Sequence, residues 1–388
     1  VSFAKPKAVA IKILQVSTID LTPHCFLRTT FSALRKQGYE LALACSLGPH
    51  RQSLAPHCDH LFDLPMARQI QPAQDFRSLL ALIRLCRSYR PTLIHSYTSK
   101  AGFLARLAAK LAGVPLIVHT ILELPQNSTD NLWKKKFYWA LERMAANWSH
   151  HLLTISEANR RQILAEAICS DHQLSTIRYG LKLDQYQPSQ SRAQVRAQLG
   201  IPEKAPVIGM AARLEPVKGH RDLLAAFQIV LSHHPEAHLV LTGKGPLEAE
   251  LRLHISQLGL DQRIHVLGWV EDLVSVMASW DVFAFSSHYE GLGMVLLEAF
   301  ALGVPVVSTQ VGGTQDIVDH EQNGLFVARK QPEQMAEAIL RLLADPTLAR
   351  RLAEAGKAKV ERDFRSQDMD QSVVELYARL LSCRGLLP

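Results

Sequence analysis

The chain alternates short apolar runs with longer segments of helical spacing. "IKILQVS" (11–17) reads as a buried strand. "FLRTTFSALRKQGY" (26–39) repeats apolar positions every three or four residues, as an amphipathic helix ending at Gly38 does. "ELALACS" (40–46) is the next strand, and "FRSLLALIRLCRSYRP" a helix with arginines at 77, 84, 87 and 90, stopped by Pro91. "TLIHSY" and "PLIVHTI" read as strands around the helix "SKAGFLARLAAKLAG", and the long helix "NLWKKKFYWALERMAANW" follows. "HLLTIS" is a further strand, with Ser156 placed to cap the helix "EANRRQILAEA". Repetition of this kind implies a parallel sheet with helices on both faces.

The rhythm stops at "LKLDQYQPSQSRAQVRAQLGIPEKAP" (181–206), which is polar, has prolines at 188, 202 and 206, and reads as a linker with a short helix. A second series then runs "VIGMAA" (207–212), "AHLVLTG", "IHVLG", "VFAFSS", "PVVST" and "GLFVA", each strand with a helix nearby. The expected fold is therefore α/β, with doubly wound domains at 1–185 and 206–365 joined by 186–205. Two such domains facing each other make a cleft, and ligands in such sheets bind beyond the carboxyl ends of the strands.

Bulk properties narrow the class. A length of 388 residues suits two domains, and no apolar run reaches the ~18 residues of a membrane span. The opening "VSFAKPKAVAIKILQVSTI" lacks a secretory apolar region. Six cysteines (25, 45, 58, 86, 169 and 383) are scattered without a CxxC pair, which fits reduced thiols. A cytoplasmic protein is expected, so the sequons at Asn127 and Asn147 read as chance. The net charge of +7 suits anionic ligands or surfaces. No nucleic-acid motif accompanies it, and no nucleic-acid partner is predicted.

The candidate chemistry gathers in the second series. After "VIGMAA", Arg213 and Lys218 stand in the loop before a helix, where two cations suit a diphosphate or are simply solvated. In "LVLTGKGPLEAEL", Gly243 and Gly245 flank Lys244 and would let backbone approach a ligand closely. In "HYEGLGMVLLEAFALGVP" (288–305), Gly291, Leu292 and Gly293 make a turn and Met294 opens a helix closed by Gly303. The N–H groups of 291–294 would then face an anion, since a helix start carries about half a positive charge. Glu290 precedes the turn, within reach of sugar hydroxyls. Glu298 lies among Met294, Val295, Leu296, Leu297, Ala299 and Phe300, and a carboxylate inside an apolar helix needs a partner. A ribose diol is one.

"SSHYEGLGMVLLEAFALGVPVVSTQVGGTQDIV" resembles the E-x7-E region of retaining family 4 glycosyltransferases of the GT-B fold. The resemblance continues through "NGLFV", "RLEPVKG", "GKGP" and "GWVEDLVSVMASWDVF", in the usual order. It implies two Rossmann-like domains and a nucleotide-sugar donor. Arg213 and Lys218 would bind its diphosphate, Glu290 its sugar and Glu298 its ribose, and the backbone near Trp269 and Val270 would read its base. No cofactor and no metal are expected, with a UDP-sugar favoured over a GDP-sugar. The D-x-D at Asp368-Met-Asp370 lies in the C-terminal tail, away from any donor loop. That tail, 366–388, would return to the first domain, as the fold's resemblance implies.

"LIHSYTSKAGFLARLAAKLAGVPLIVHTI" resembles the first domain of the branch that makes polysaccharides and lipid-linked glycans. Here the chain departs from the family. "HTILELPQ" has Leu122, Glu123 and Leu124 where histidine-glycine-phenylalanine is common, Tyr97 replaces a second frequent histidine, and "STIDLTPHC" replaces a glycine-rich loop. The acceptor-side candidates are Glu123, Ser99, Lys100 and His119. Glu123 is an acceptor-hydroxyl ligand or a loop carboxylate. Ser99 and Lys100 open a helix that suits an anionic group or is plainly capped. His119, one residue before its strand's end, is a packed core residue or a catalyst. Lys134, Lys135 and Lys136 among Trp133, Phe137, Tyr138 and Trp139 suit either an anionic membrane surface or an ordinary solvated face.

The expected function is retaining glycosyl transfer to a glycan, lipid-linked or small-molecule hydroxyl, at or near the inner face of a membrane. A nucleotide-sugar epimerase of the same fold and a non-catalytic nucleotide-sugar binder are the alternatives.

Overall fold

A computed structural model describes residues 11–67, 69–124, 127 and 131–387. The opening residues 1–10, the serine and threonine of the first sequon, and the Pro125-Gln126 end of "HTILELPQ" lie outside the described residues. The chain divides into two compact units, 1–179 with 366–388 and 180–365.

The first unit contains β1 (Lys12–Ile19), α1 (Leu21–Phe26), α2 (Arg28–Lys36), β2 (Glu40–Ser46), α3 (Arg51–Leu54) and β3 (His60–Asp63). It continues with α4 (Pro72–Tyr89), β4 (Leu93–Tyr97), α5 (Ser99–Ala112), β5 (Leu116–Ile121), α6 (Leu132–Ala146), β6 (His151–Thr154), α7 (Glu157–Ala165) and β7 (Leu174–Thr176). All seven strands are parallel, in the order β3-β2-β1-β4-β5-β6-β7. β4 and β5 are buried along their whole length, and the polar residues they carry bond across the pair, His95 to Thr120 at 2.7 Å and Ser96 to His119 at 2.9 Å. The helix expected over 26–39 is α2, Arg28–Lys36, and the separate helix α1 precedes it with a break at Leu27, φ −120°. The connection reverses direction between β1 and β4, and Thr18 and Thr98 bond across that switch at 2.7 Å. Thr98 sits at φ +65°, ψ 149°, a strained region for a β-branched residue.

The second unit contains α8 (Arg192–Gln198), β8 (Val207–Ala211), α9 (His220–His233), β9 (His238–Thr242), α10 (Glu248–Gln257), β10 (Ile264–Gly268) and α11 (Leu273–Ala278). It continues with β11 (Val282–Phe285), α12 (Met294–Ala301), β12 (Val306–Thr309), α13 (Thr314–Ile317), β13 (Leu325–Val327), α14 (Pro332–Ala344) and α15 (Pro346–Asp363). Its parallel strands run β10-β9-β8-β11-β12-β13, with the switch between β8 and β11. The stretch 186–205, expected as a linker, is packed into this unit. Arg196 of α8 is fully buried, bonds the carbonyls of Ser279 and Ala205, and pairs with Asp281 at 2.7 Å.

The last helix, α16 (Ser366–Cys383), belongs to the first unit. It docks on α2, where Thr30 donates to Asp370 Oδ1 at 2.6 Å. Its Tyr377 is wholly buried and accepts from Gln15 Nε2 at 3.1 Å, while its hydroxyl also bonds His95 Nδ1.

Candidate donor site of the second unit

The carboxyl edge of the second sheet carries most of the candidates. Beyond β8 stands Arg213, about half exposed and paired with Glu215. Lys218 lies in a single turn of 3-10 helix, buried, with its Nζ bonded to Glu290 Oε1. Glu290 is buried as well, so the two form a desolvated ion pair. Removing either partner would strand a buried charge, so the pair opens only when each has a replacement. Its surroundings fix it further. Ser286 Oγ donates to the Gly219 carbonyl at 2.9 Å, the His288 N–H to the Val217 carbonyl at 2.7 Å, and His288 Nε2 bonds Asp222 Oδ2 at 2.6 Å.

The glycine turn lies where expected. Gly293, at φ +93°, is the N-cap of α12, a conformation that favours glycine. A second loop, unassigned by sequence reasoning, closes over this turn. The Gly313 N–H donates to the Glu290 carbonyl at 3.0 Å, and a β-carbon on Gly313 would lie 2.1 Å from the Gly291 carbonyl oxygen. Leu292 is buried between the two glycines and Met294 is the first residue of α12.

Glu298 is on α12, one turn in. Tyr186, from just before α8, donates to its Oε1 at 3.3 Å. Burial pushes this carboxyl up to about 7, with the Tyr186 hydroxyl pulling the other way. Glu298 is therefore close to half-ionised near neutrality, and a group that donates two hydrogen bonds would favour its charged form.

Gly243 and Gly245 need a correction. The expectation was that they admit a ligand, but their open sides face the protein's own backbone. A β-carbon on Gly243 would lie 2.0 Å from the Ala212 carbonyl oxygen, and one on Gly245 2.3 Å from that of Leu214. These glycines let the Arg213 loop and the Lys244 loop lie against each other, where Leu214 N–H donates to the Lys244 carbonyl at 3.1 Å. Lys244 itself is exposed, as is Trp269 beyond β10, and Val270 is half-buried. Sequence reasoning also missed His220, buried at the start of α9 with neither ring nitrogen bonded within the protein. Burial first, then the charge of Lys218, lowers it to about 4.

The acceptor-side candidates of the first unit divide. Ser99 opens α5, whose N-cap is the strained Thr98. Lys100 is not a solvated lysine, because its Nζ bonds Asp75 Oδ1 at 2.8 Å and the Gln69 carbonyl. Of the two readings of His119, the structure favours the core residue. Its strand runs two residues further, to Ile121, and it is 2% exposed. Its Nδ1 bonds Ser96 Oγ at 2.9 Å, its ring fills the space over Gly102, and burial holds it well below the usual histidine range. Glu123 is exposed beyond the end of β5. Among the described residues no group of three or more His, Cys, Asp or Glu side chains could hold a metal ion.

Two parallel doubly wound units, with a glycine turn, buried cation and carboxylates on the carboxyl edge of the second, fit an enzyme that handles a nucleotide sugar. Residues 26–180 match the family model for the glycosyl transferase 4-like domain, and 191–359 match that for glycosyl transferases group 1. The chain belongs to the GT-B glycosyltransferases of family 4 type. It is similar to the Escherichia coli UDP-Gal:alpha-D-GlcNAc-diphosphoundecaprenol alpha-1,3-galactosyltransferase, 27% identical over 82% of this chain and 84% of that one. It is also similar to the capsular polysaccharide biosynthesis glycosyltransferase CapM of Staphylococcus aureus, 26% identical over 92% and 94%. Among solved structures it resembles Anabaena HepE in complex with UDP-glucose, with a TM-score of 0.80, 21% identity, and 95% and 99% of the two chains covered.

Proposed function

We propose that the protein is a retaining, metal-independent glycosyltransferase that moves a sugar from a UDP-sugar to a glycan hydroxyl, with a lipid-linked glycan as the favoured acceptor. The observation that carries this reading is the buried Lys218–Glu290 pair beside the Gly293 turn. In this reading the diphosphate lies over the glycine turn and takes Lys218 as its counter-charge, with Arg213 beside it. Glu290, released from Lys218, turns to the donor sugar, and Glu298 accepts from the ribose diol. Breaking the sugar–phosphate bond leaves growing negative charge on the nucleotide diphosphate. Lys218, Arg213 and the start of α12 are preorganised to stabilise it. The leaving phosphate itself takes the acceptor's proton, so the first unit needs no strong base, in keeping with a buried, neutral His119. The name of the Escherichia coli relative, with its UDP-Gal, and the UDP-glucose in the HepE complex support the base, and that relative's acceptor supports a lipid-linked one.

A lipid-borne acceptor would hold the enzyme at the cytoplasmic face of a membrane, and α6 carries basic and aromatic residues of the kind such contact uses. The test is transfer from UDP-glucose or UDP-galactose to a short-chain lipid-diphosphate sugar in the presence of a chelator, with the anomeric proton of the product followed by NMR. The retained anomer is expected. An inverted product, loss of turnover on chelation, or an epimer formed from the donor alone would each overturn the proposal.

A further inference from the structure

The segment "STIDLTPHC", which stands where a glycine-rich loop is common, takes no part in the donor site. It ends β1 and forms most of α1 in the first unit. α1 packs on α3, and α2 on the 3-10 turn Ala55–His57. Along this seam the His24 and His50 rings stack with centroids 4.1 Å apart, and His24 Nδ1 lies 2.7 Å from Ser53 Oγ. Further on, His57 Nδ1 lies 2.8 Å from Ser32 Oγ. Arg28 opens α2, midway in sequence between His24 and Ser32.

The two serines fix the tautomers of the rings they touch. Ser53 Oγ donates its one proton to the His50 carbonyl at 2.8 Å, and Ser32 Oγ donates to the Arg28 carbonyl at 3.1 Å. Each hydroxyl can then only accept from its histidine, so both rings carry a proton on Nδ1 and a lone pair on Nε2. Neither Nε2 has a partner among the described residues. Burial first, then the charge of Arg28, holds both histidines below their ordinary value. The other charged groups around them are His50 and Asp20 at His24, and Arg35 at His57. The carboxylates of this seam are already engaged. Asp20 accepts from the Gly48 and His50 N–H groups at 2.8 and 2.9 Å, and Asp59 pairs with Arg35 at 2.8 Å. Arg28 is half-buried, and its guanidinium makes no hydrogen bond or ion pair among the described residues. An unpaired guanidinium flanked by imidazoles matches an oxyanion. A lone carboxylate would leave positive charge uncompensated once the rings took up protons, and a diphosphate would not.

We infer that Arg28, His24 and His57, with His50 stacked beside them, form a diphosphate-binding site on the first unit that holds the diphosphate of the acceptor. Its purpose rests on the lipid-linked acceptor proposed above, but its binding can be read without turnover, so either can fail alone. A ring that takes a proton at Nε2 becomes a donor to a phosphate oxygen. Binding therefore takes up protons and strengthens as pH falls.

The test is calorimetric titration of inorganic pyrophosphate into the full chain at pH 6 and pH 8, with UDP at saturation to occupy the donor edge. Pyrophosphate itself loses charge on acidification, so a site without these histidines would bind it more weakly at pH 6. Tighter binding at pH 6 is expected, with proton uptake read from buffers of different ionisation enthalpy. Arg28→Gln should bind on the order of 10- to 100-fold more weakly. His24→Gln/His57→Gln should lose the gain at pH 6, and circular dichroism melts check that both variants stay folded. Geranyl diphosphate should compete with pyrophosphate, as a lipid-borne diphosphate would. An Arg28→Gln affinity equal to wild type, or binding that weakens on acidification, would overturn the site. Glucuronate bound as tightly as pyrophosphate would overturn its diphosphate class, and geranyl diphosphate that fails to compete would overturn its assignment to the acceptor. A chain that takes up no UDP would count against the donor reading instead, and the difference between wild type and Arg28→Gln would still report this site.

Discussion

Glu298→Gln is the most informative single change, because Glu298 carries a signature that can be read without substrate. Burial raises its carboxyl from 4.5 to about 7. Between those values the folded protein holds a proton that the unfolded chain has released, so stability falls as pH rises through this window and levels off above it. At about 1.4 kcal/mol for each pH unit, the full interval corresponds to roughly 3 kcal/mol. Glu298 as a whole residue is half-buried, which reduces the expected loss to about 2–3 kcal/mol. For a unit the size of 180–365, that is on the order of 4–12 °C in melting temperature. Glutamine keeps the shape and cannot ionise. Melting curves of both proteins at pH 5 and pH 8 should show the variant gaining on wild type by about that much, and taking the difference cancels the other titrating groups. UDP affinity supplies a second reading. A ribose diol donates to the carboxylate, so wild-type affinity should rise through pH 7, while the variant binds weakly and without that rise. Melting temperatures that run parallel from pH 5 to pH 8 would refute the claim that Glu298 is held near neutrality.

Lys218→Met should destabilise by about 3–5 kcal/mol, since it leaves Glu290 buried and unpaired, and Lys218→Met/Glu290→Leu should recover much of that in urea melts. Neither should regain turnover, with losses of about 10²–10³ or more. Gly313→Ala places a methyl 2.1 Å from a fixed carbonyl of the donor turn. It should cost about 1–3 kcal/mol and shrink the thermal shift given by UDP. Tyr377→Phe deprives Gln15 and His95 of their shared partner and should lower stability by about 1–3 kcal/mol, seen in denaturant melts.

The architecture was legible because buried parallel strands write themselves as apolar runs. The five strands expected after "VIGMAA" are β9 to β13, each within a residue or two of its observed bounds. The short outer strands β3 and β7 were not legible. "HLFD" has polar residues at both ends and is paired on one side only, so no apolar run marks it. The glycine turn and both glutamates of the donor edge could be found because their spacing is local. Their partners could not. Tyr186 reaches Glu298 across 112 residues and Lys218 reaches Glu290 across 72, distances over which composition carries no signal. The same limit applies to Gly243, whose glycine signal is real but is explained by the Ala212 carbonyl, on a neighbouring strand's loop. His119 could be argued either way from sequence. What decides it is Gly102, whose missing side chain gives the ring its place in the core.

The return of α16 to the first unit sets an order of events during synthesis. Gln15 and His95 leave the ribosome early, yet the hydroxyl that serves them both, on Tyr377, is translated after all of residues 180–365. At 5–20 residues per second that delay is on the order of 10–40 s. The second unit, continuous in sequence, can close as soon as it has emerged. The first cannot, and its α2 face waits uncovered for the helix that docks there. A nascent chain of this protein thus passes through a stage in which the whole second unit has emerged while the α2 face of the first still lacks its covering helix. That open face is where a chaperone would act, and where the loss of the last helix would be felt first.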